Sequence, residues 1–195
     1  MTLGDLLEAV RSAYVKEFYR VLRDQRRTPN SSVYIEPIRR AADDTPWRAG
    51  ALQLPYRMDL AVFVERRDWH VVEISTPRKV QFAPTGTDWT PNMRVTFQAF
   101  CWEKCPVRLH GRFEGEQWWP ALDWFNHWFD EFETKAALQK DIKEVVHSIS
   151  DPDVDSEFTY LTIDLGSAPV KCLEELLDSF EKMGTDLVEI GWQPD

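Results

Sequence analysis

The sequence predicts an α+β fold: a single domain over residues 1–195, with a mixed or mainly antiparallel sheet covered by helices and a C-terminal β-α-β unit. Three observations lead there. Apolar residues recur at helical spacing near both ends of the chain and around residue 120. Short β-rich runs lie between them, bounded by Pro, Gly, Asn and charged turns. No Gly/Ser linker, repeat or low-complexity tract divides the 195 residues, a length that can bury one sizeable core.

The first helix spans residues 3–27. Leu3, Leu6, Leu7, Val10, Tyr14, Phe18, Val21 and Leu22 form its stripe. Thr2 can cap it with Asp5 in the first turn, and Arg23, Arg26 and Arg27 suit its negative end. Thr28-Pro29-Asn30 stops it. Val33–Ile38 reads as a strand interrupted by Pro37. Residues 39–56 are turn-rich. Met58–Val64 and Trp69–Ile74 then read as a hairpin joined by Glu65-Arg66-Arg67-Asp68. Residues 84–92 read as a loop holding Trp89, and Met93–Trp102 and Val107–Phe113 as a second hairpin.

The tryptophan-rich segment opens a second helix, with Pro120 allowed in its first turn. Trp118, Leu122, Phe125, Phe129 and Phe132 fall near one face, and the pattern extends through Leu138, Ile142 and Val145, with or without a break. Asp151–Glu157 reads as an acidic loop. Phe158–Leu165 is a strand, Ser167 can cap a helix with Pro169 in its first turn, and Gly184 stands where a C-terminal cap glycine belongs. Leu187–Trp192 is the last strand. This β-α-β passage is short enough for a right-handed crossover between parallel strands.

Charge is distributed unevenly. Met1–Arg112 holds 18 Lys+Arg and 13 Asp+Glu, whereas Phe113–Asp195 holds 5 and 20. The acidic part begins with Trp118–Phe129, which contains four of the nine tryptophans. The overall charge of −10 opposes general binding to nucleic acid or to an anionic membrane surface. No apolar run is long enough to span a bilayer, and acids stand where a signal peptide needs bases. With three cysteines, an odd count, and no disulfide framework, a cytoplasmic setting with reduced thiols is expected.

Several constellations suggest chemistry, each beside a plainer reading. Cys101 and Cys105, followed by His110, suggest zinc, but a second ligand pair is missing; two buried thiols explain the spacing. Asp151, Asp153 and Asp155 alternate as in a calcium loop, yet Ser156 and Thr162 hold the places of the turn glycine and the closing glutamate; a solvated acidic loop explains them. Asp59 and Glu73 on paired strands suggest a metal-dependent nuclease, but Ser75 stands where its lysine would be. Gly166-Ser167 suits an anion at a helix start or a plain cap. No nucleophile elbow or phosphate loop is present, and no cofactor is expected.

The four tryptophans Trp118, Trp119, Trp124 and Trp128 span more than half the helical wheel, so they cannot share one buried face. At least one belongs at the surface, and an exposed indole ringed by acids is a typical binding hot spot. The Trp118–Phe129 helix and the strand-to-helix passage Leu161–Val170, together with the acidic, motif-poor character of the chain, resemble the immunity proteins of bacterial polymorphic toxin systems. The resemblance implies a small cytosolic α+β protein that neutralises one cognate toxin by occluding its active site or a nearby surface. Such toxins carry basic clefts, which the acidic half would suit. The expected function is therefore binding of a basic protein partner, with contacts at Asp123, Trp124, Trp128, Asp130 and Glu131, and secondarily at Asp151, Asp153 and Asp155. The alternatives are a metal-dependent, nuclease-like enzyme using Asp59 and Glu73, or a structural or adaptor subunit.

Overall fold

Helix α1 (Leu3–Arg26) starts on a reciprocal cap: Thr2 Oγ1 accepts from the Asp5 N–H at 3.1 Å, and the Asp5 carboxylate accepts from the Thr2 N–H at 2.8 Å. The computed structural model describes residues 2–65, 69–134 and 142–192. Leu6, Leu7, Val10, Tyr14, Phe18 and Leu22 are the buried stripe of α1, as their spacing predicts.

Strand β1 (Ser31–Ile35) leaves the helix. A small ribbon of β2 (Arg48–Ala49) and β3 (Leu54–Pro55) follows, and then the hairpin β4 (Leu60–Val64) and β5 (Trp69–Val72). β1, β4 and β5 form a three-stranded antiparallel sheet in that order. Residues 66–68 of the expected turn lie outside the described residues.

The larger sheet takes β6 (Thr85–Thr90), β7 (Met93–Phe97), β8 (Cys105–His110), β9 (Ser148–Ile149), β10 (Asp153–Val154), β11 (Phe158–Asp164) and β12 (Leu187–Ile190). Its order is β10-β11-β8-β12-β7-β6, with β9 also on β11. Two expectations are corrected here. Residues 84–92 contain strand β6, paired antiparallel with β7. β7 and β8 do not pair with each other, because β12 lies between them, parallel to β7 and antiparallel to β8. The β-α-β unit is present, and its two strands run the same way with β8 inserted between them.

The intervening helix α3 (Val170–Met183) ends on Gly184, at φ 94°, whose N–H returns to the Phe180 and Glu181 carbonyls. Ser167 does not cap it. Pro169 occupies that place, and the Ser167 hydroxyl accepts the Glu144 N–H at 2.8 Å. Helix α2 (Trp119–Phe129) stops at Asp130, which adopts the left-handed conformation. Phe132 therefore lies beyond it and is 90% exposed. Of the expected helical extension, residue 138 lies outside the described residues, and Ile142 and Val145 are buried in an irregular segment.

The fold is α+β. α2 packs on α3, and α1 touches α3 and β1. Met93, Val95, Phe97, Cys105, Val107, Leu109, Leu161, Ile163, Val188 and Ile190 alternate inward along the large sheet and join the helical stripes in one core.

Candidate functional site

The tryptophan segment is divided by α3. Trp118, in a 3-10 turn (Gly115–Trp118), donates to the Phe113 carbonyl at 3.0 Å. Trp124 donates to the Cys172 carbonyl at 2.8 Å, and Trp128 to Glu175 Oε2 at 2.9 Å. Both face α3, leaving Trp124 5% and Trp128 7% exposed. The expectation that these two are surface contacts is corrected: their N–H groups find partners only because the rings lie against the neighbouring helix. The exposed member is Trp119, at 64%.

Trp119 and Pro120 border a groove of about 780 Å³ between α2 and α3, lined also by Asp123, Glu175, Asp178 and Lys182. Its carboxylates outnumber its ammonium. Asp178 accepts from Trp89 Nε1 at 2.8 Å, which ties the β6 end of the sheet to the groove. Burial disfavours charge on Glu175, but Lys171 at 3.1 Å and the Trp128 N–H outweigh it and hold the carboxyl below its usual range. Asp123 is exposed and makes no side-chain hydrogen bond or ion pair among the described residues.

The other expected contacts lie elsewhere. Asp130 is buried, against the expectation of a surface contact: its Oδ1 accepts from Thr134 N and Oγ1 at 2.9 and 2.6 Å, and its carbonyl takes an Arg57 N–H at 2.7 Å. Glu131 pairs with Arg48 at 2.7 Å. Asp151 accepts the Ala51 N–H at 2.7 Å. Asp155 accepts the Glu157 and Phe158 N–H groups and the Tyr160 hydroxyl. Asp153 is exposed on β10, opposite Tyr160. Of the eight, only Asp123 and Trp124 line the groove.

A buried ionic cluster escaped the sequence reading. His147 is 1% exposed. Its Nε2 lies 2.9 Å from Glu36 Oε1, and its Nδ1 lies 3.4 Å from Asp59 Oδ1 and 3.5 Å from Asp164 Oδ2. Glu36 also accepts the Ser167 and Lys143 N–H groups at 3.2 and 2.6 Å. Asp59 accepts the Tyr14 hydroxyl and, at 2.7 Å, the Ile74 N–H. Burial opposes a charged imidazole, but Asp164, Asp59 and Glu36 outweigh it and raise His147 well above its ordinary value. Burial likewise opposes the Asp59 carboxylate, yet His147, Tyr14 and the Ile74 N–H hold its pKa low. Arg57 lies alongside, donating to the carbonyls of Glu36, Phe129 and Asp130. Single polar residues scattered from position 14 to 167 give no periodic signal. Glu36 at a left-handed φ of 47° is visible only in the fold.

Asp59 and Asp164 open from this cluster into a cleft of about 440 Å³ that Glu73 also lines. Asp59 and Glu73 thus share a cleft, as the hairpin suggested, but every Asp59 oxygen already faces a donor. Cys105 is buried and burial pushes its thiol up, whereas Cys101 is half-buried in a turn. Among the described residues no three His, Cys, Asp or Glu side chains are arranged to hold a metal ion, and no helix is long and apolar enough to cross a membrane. No family model, characterised protein or solved structure matches the chain.

Proposed function

We propose that this chain is a cytoplasmic binding protein that neutralises a basic protein partner, as an immunity protein does its cognate toxin, through the groove between α2 and α3. The observation that carries the reading is Trp119, an exposed indole on a helix whose other tryptophans are packed inside, beside the unpaired carboxylate of Asp123. Holding a large ring in water gains nothing for folding, and such a ring flanked by acids is what a protein interface uses as an anchor. The excess of acids after residue 112 adds long-range attraction for a basic partner.

Co-expression with a toxic domain encoded in the neighbouring reading frame tests the proposal. The chain restores growth and co-purifies with the domain, and Trp119→Ala or Asp123→Lys impairs both. Continued toxicity with the folded chain present in excess overturns it.

A metal-dependent enzyme is the second reading, favoured by Asp59 and Glu73 lining one cleft. Calorimetric titration with Mg²⁺, Mn²⁺ and Zn²⁺ tests it; absence of binding heat in all three removes it.

A further inference from the structure

Resting on the groove as the partner-binding surface, we infer that it receives an arginine side chain of the basic partner, stacked on the Trp119 ring and paired with the Asp123 carboxylate. Trp119 and Asp123 are four residues apart on α2, so their side chains lie one above the other on the same face. Both border the groove. The Trp119 indole is 64% exposed, and a cation is drawn to the face of such a ring by its quadrupole. Asp123 has both oxygens free of protein donors among the described residues.

The groove walls discriminate further. Glu175 and Asp178 are held by indole N–H groups of Trp128 and Trp89, so they do not swing away, and each adds negative potential. Lys182 supplies the opposing charge, and His127 also lines the groove. With Lys171 paired to Glu175, three carboxylates face two ammonium groups, and the remaining negative charge leaves the groove attractive to a cation and repellent to phosphate or carboxylate ligands. A guanidinium suits this pair better than an ammonium does. It is planar, stacks on an indole, and presents two parallel N–H groups to one carboxylate, whereas an ammonium is a compact, strongly hydrated point charge.

The test uses the ¹⁵N-labelled full chain and the indole N–H resonances, with that of Trp119 assigned through Trp119→Phe. The probes are acetyl-Gly-Arg-Gly-amide and its lysine counterpart at low ionic strength. The expected result is a saturable shift of the Trp119 resonance, with the arginine peptide binding about fivefold tighter than the lysine peptide. Asp123→Asn weakens the arginine peptide about fivefold and removes most of that preference, while the buried indole resonances stay in place as proof of an intact fold. Equal binding of both peptides, no saturable shift, or indifference to Asp123→Asn overturns the assignment. Growth rescue without arginine preference sinks the arginine assignment alone. Arginine preference without rescue sinks the toxin reading alone.

Discussion

Trp119 and Trp124 are five positions apart and have opposite fates, which separates two effects that a sequence pattern mixes. Trp119→Ala removes a ring that touches mostly water, so stability in urea should change by no more than about 0.5 kcal/mol while partner affinity falls. Trp124→Phe keeps most of the volume but removes the hydrogen bond to the Cys172 carbonyl, a loss of about 0.5–1.5 kcal/mol in the same measurement. The helical wheel required one surface tryptophan; choosing it required the position of α3. Gly166 is a second position where one atom matters. Its φ is 51°, and a Cβ there would fall on the His147 ring and the Val145 carbonyl. Gly166→Ala should lower the melting temperature by several degrees. His147 itself makes stability depend on pH. Its folded pKa is raised above the ordinary 6.5. The contribution is therefore full below that unfolded value and lost as pH rises through the folded one. Asp59 works the other way: its lowered pKa gives stability above the unfolded value near 3.8 that is lost as pH falls through the folded value. Melting temperature should therefore decline on the alkaline side, and His147→Gln should flatten that limb while lowering stability throughout.

At the scale of elements, α1 and α3 were legible because each carries one apolar stripe with matching end signals: Thr2 and Asp5 at one start, Gly184 at the other's end. β6 was not. Its residues Thr85-Gly-Thr-Asp-Trp-Thr90 form a sheet edge, with no buried face to impose alternation. The pairing of β7 with β8 failed for another reason. Neighbours in sequence usually pair, but β12 presents Val188 and Ile190 to the same core and takes the central position. The irregular segment after α2 is held by Arg57, whose fully buried guanidinium donates to three carbonyls. Arg57→Met should cost about 3–5 kcal/mol, read from denaturant unfolding, because it removes three charge-assisted hydrogen bonds to buried carbonyls and leaves Glu133 with Lys143 alone. No pattern in the sequence marks that role, since arginine at position 57 reads as an ordinary strand-flanking charge.

Over the whole molecule, the charge asymmetry and the groove coincide, because α2 and α3 both belong to the acidic part of the chain. Association with a basic partner should slow steeply with added salt while dissociation changes little, as stopped-flow and surface-binding kinetics would show. Asp123→Lys should act on association and Trp119→Ala on dissociation. That division was expected from composition and Asp123 was among the expected contacts, but Trp119 was not, because only the position of α3 shows that Trp124 and Trp128 are buried. The placement of β12 also bears on how the molecule is made. The β6–β7 pair and the β8–β11 pair meet only through β12, so until residues 187–190 dock, the middle of the large sheet stands open. A chain in which β12 cannot dock, as with Val188→Asp and Ile190→Asp together, should be protease-sensitive and draw chaperones, whereas the unaltered chain closes the gap and escapes both.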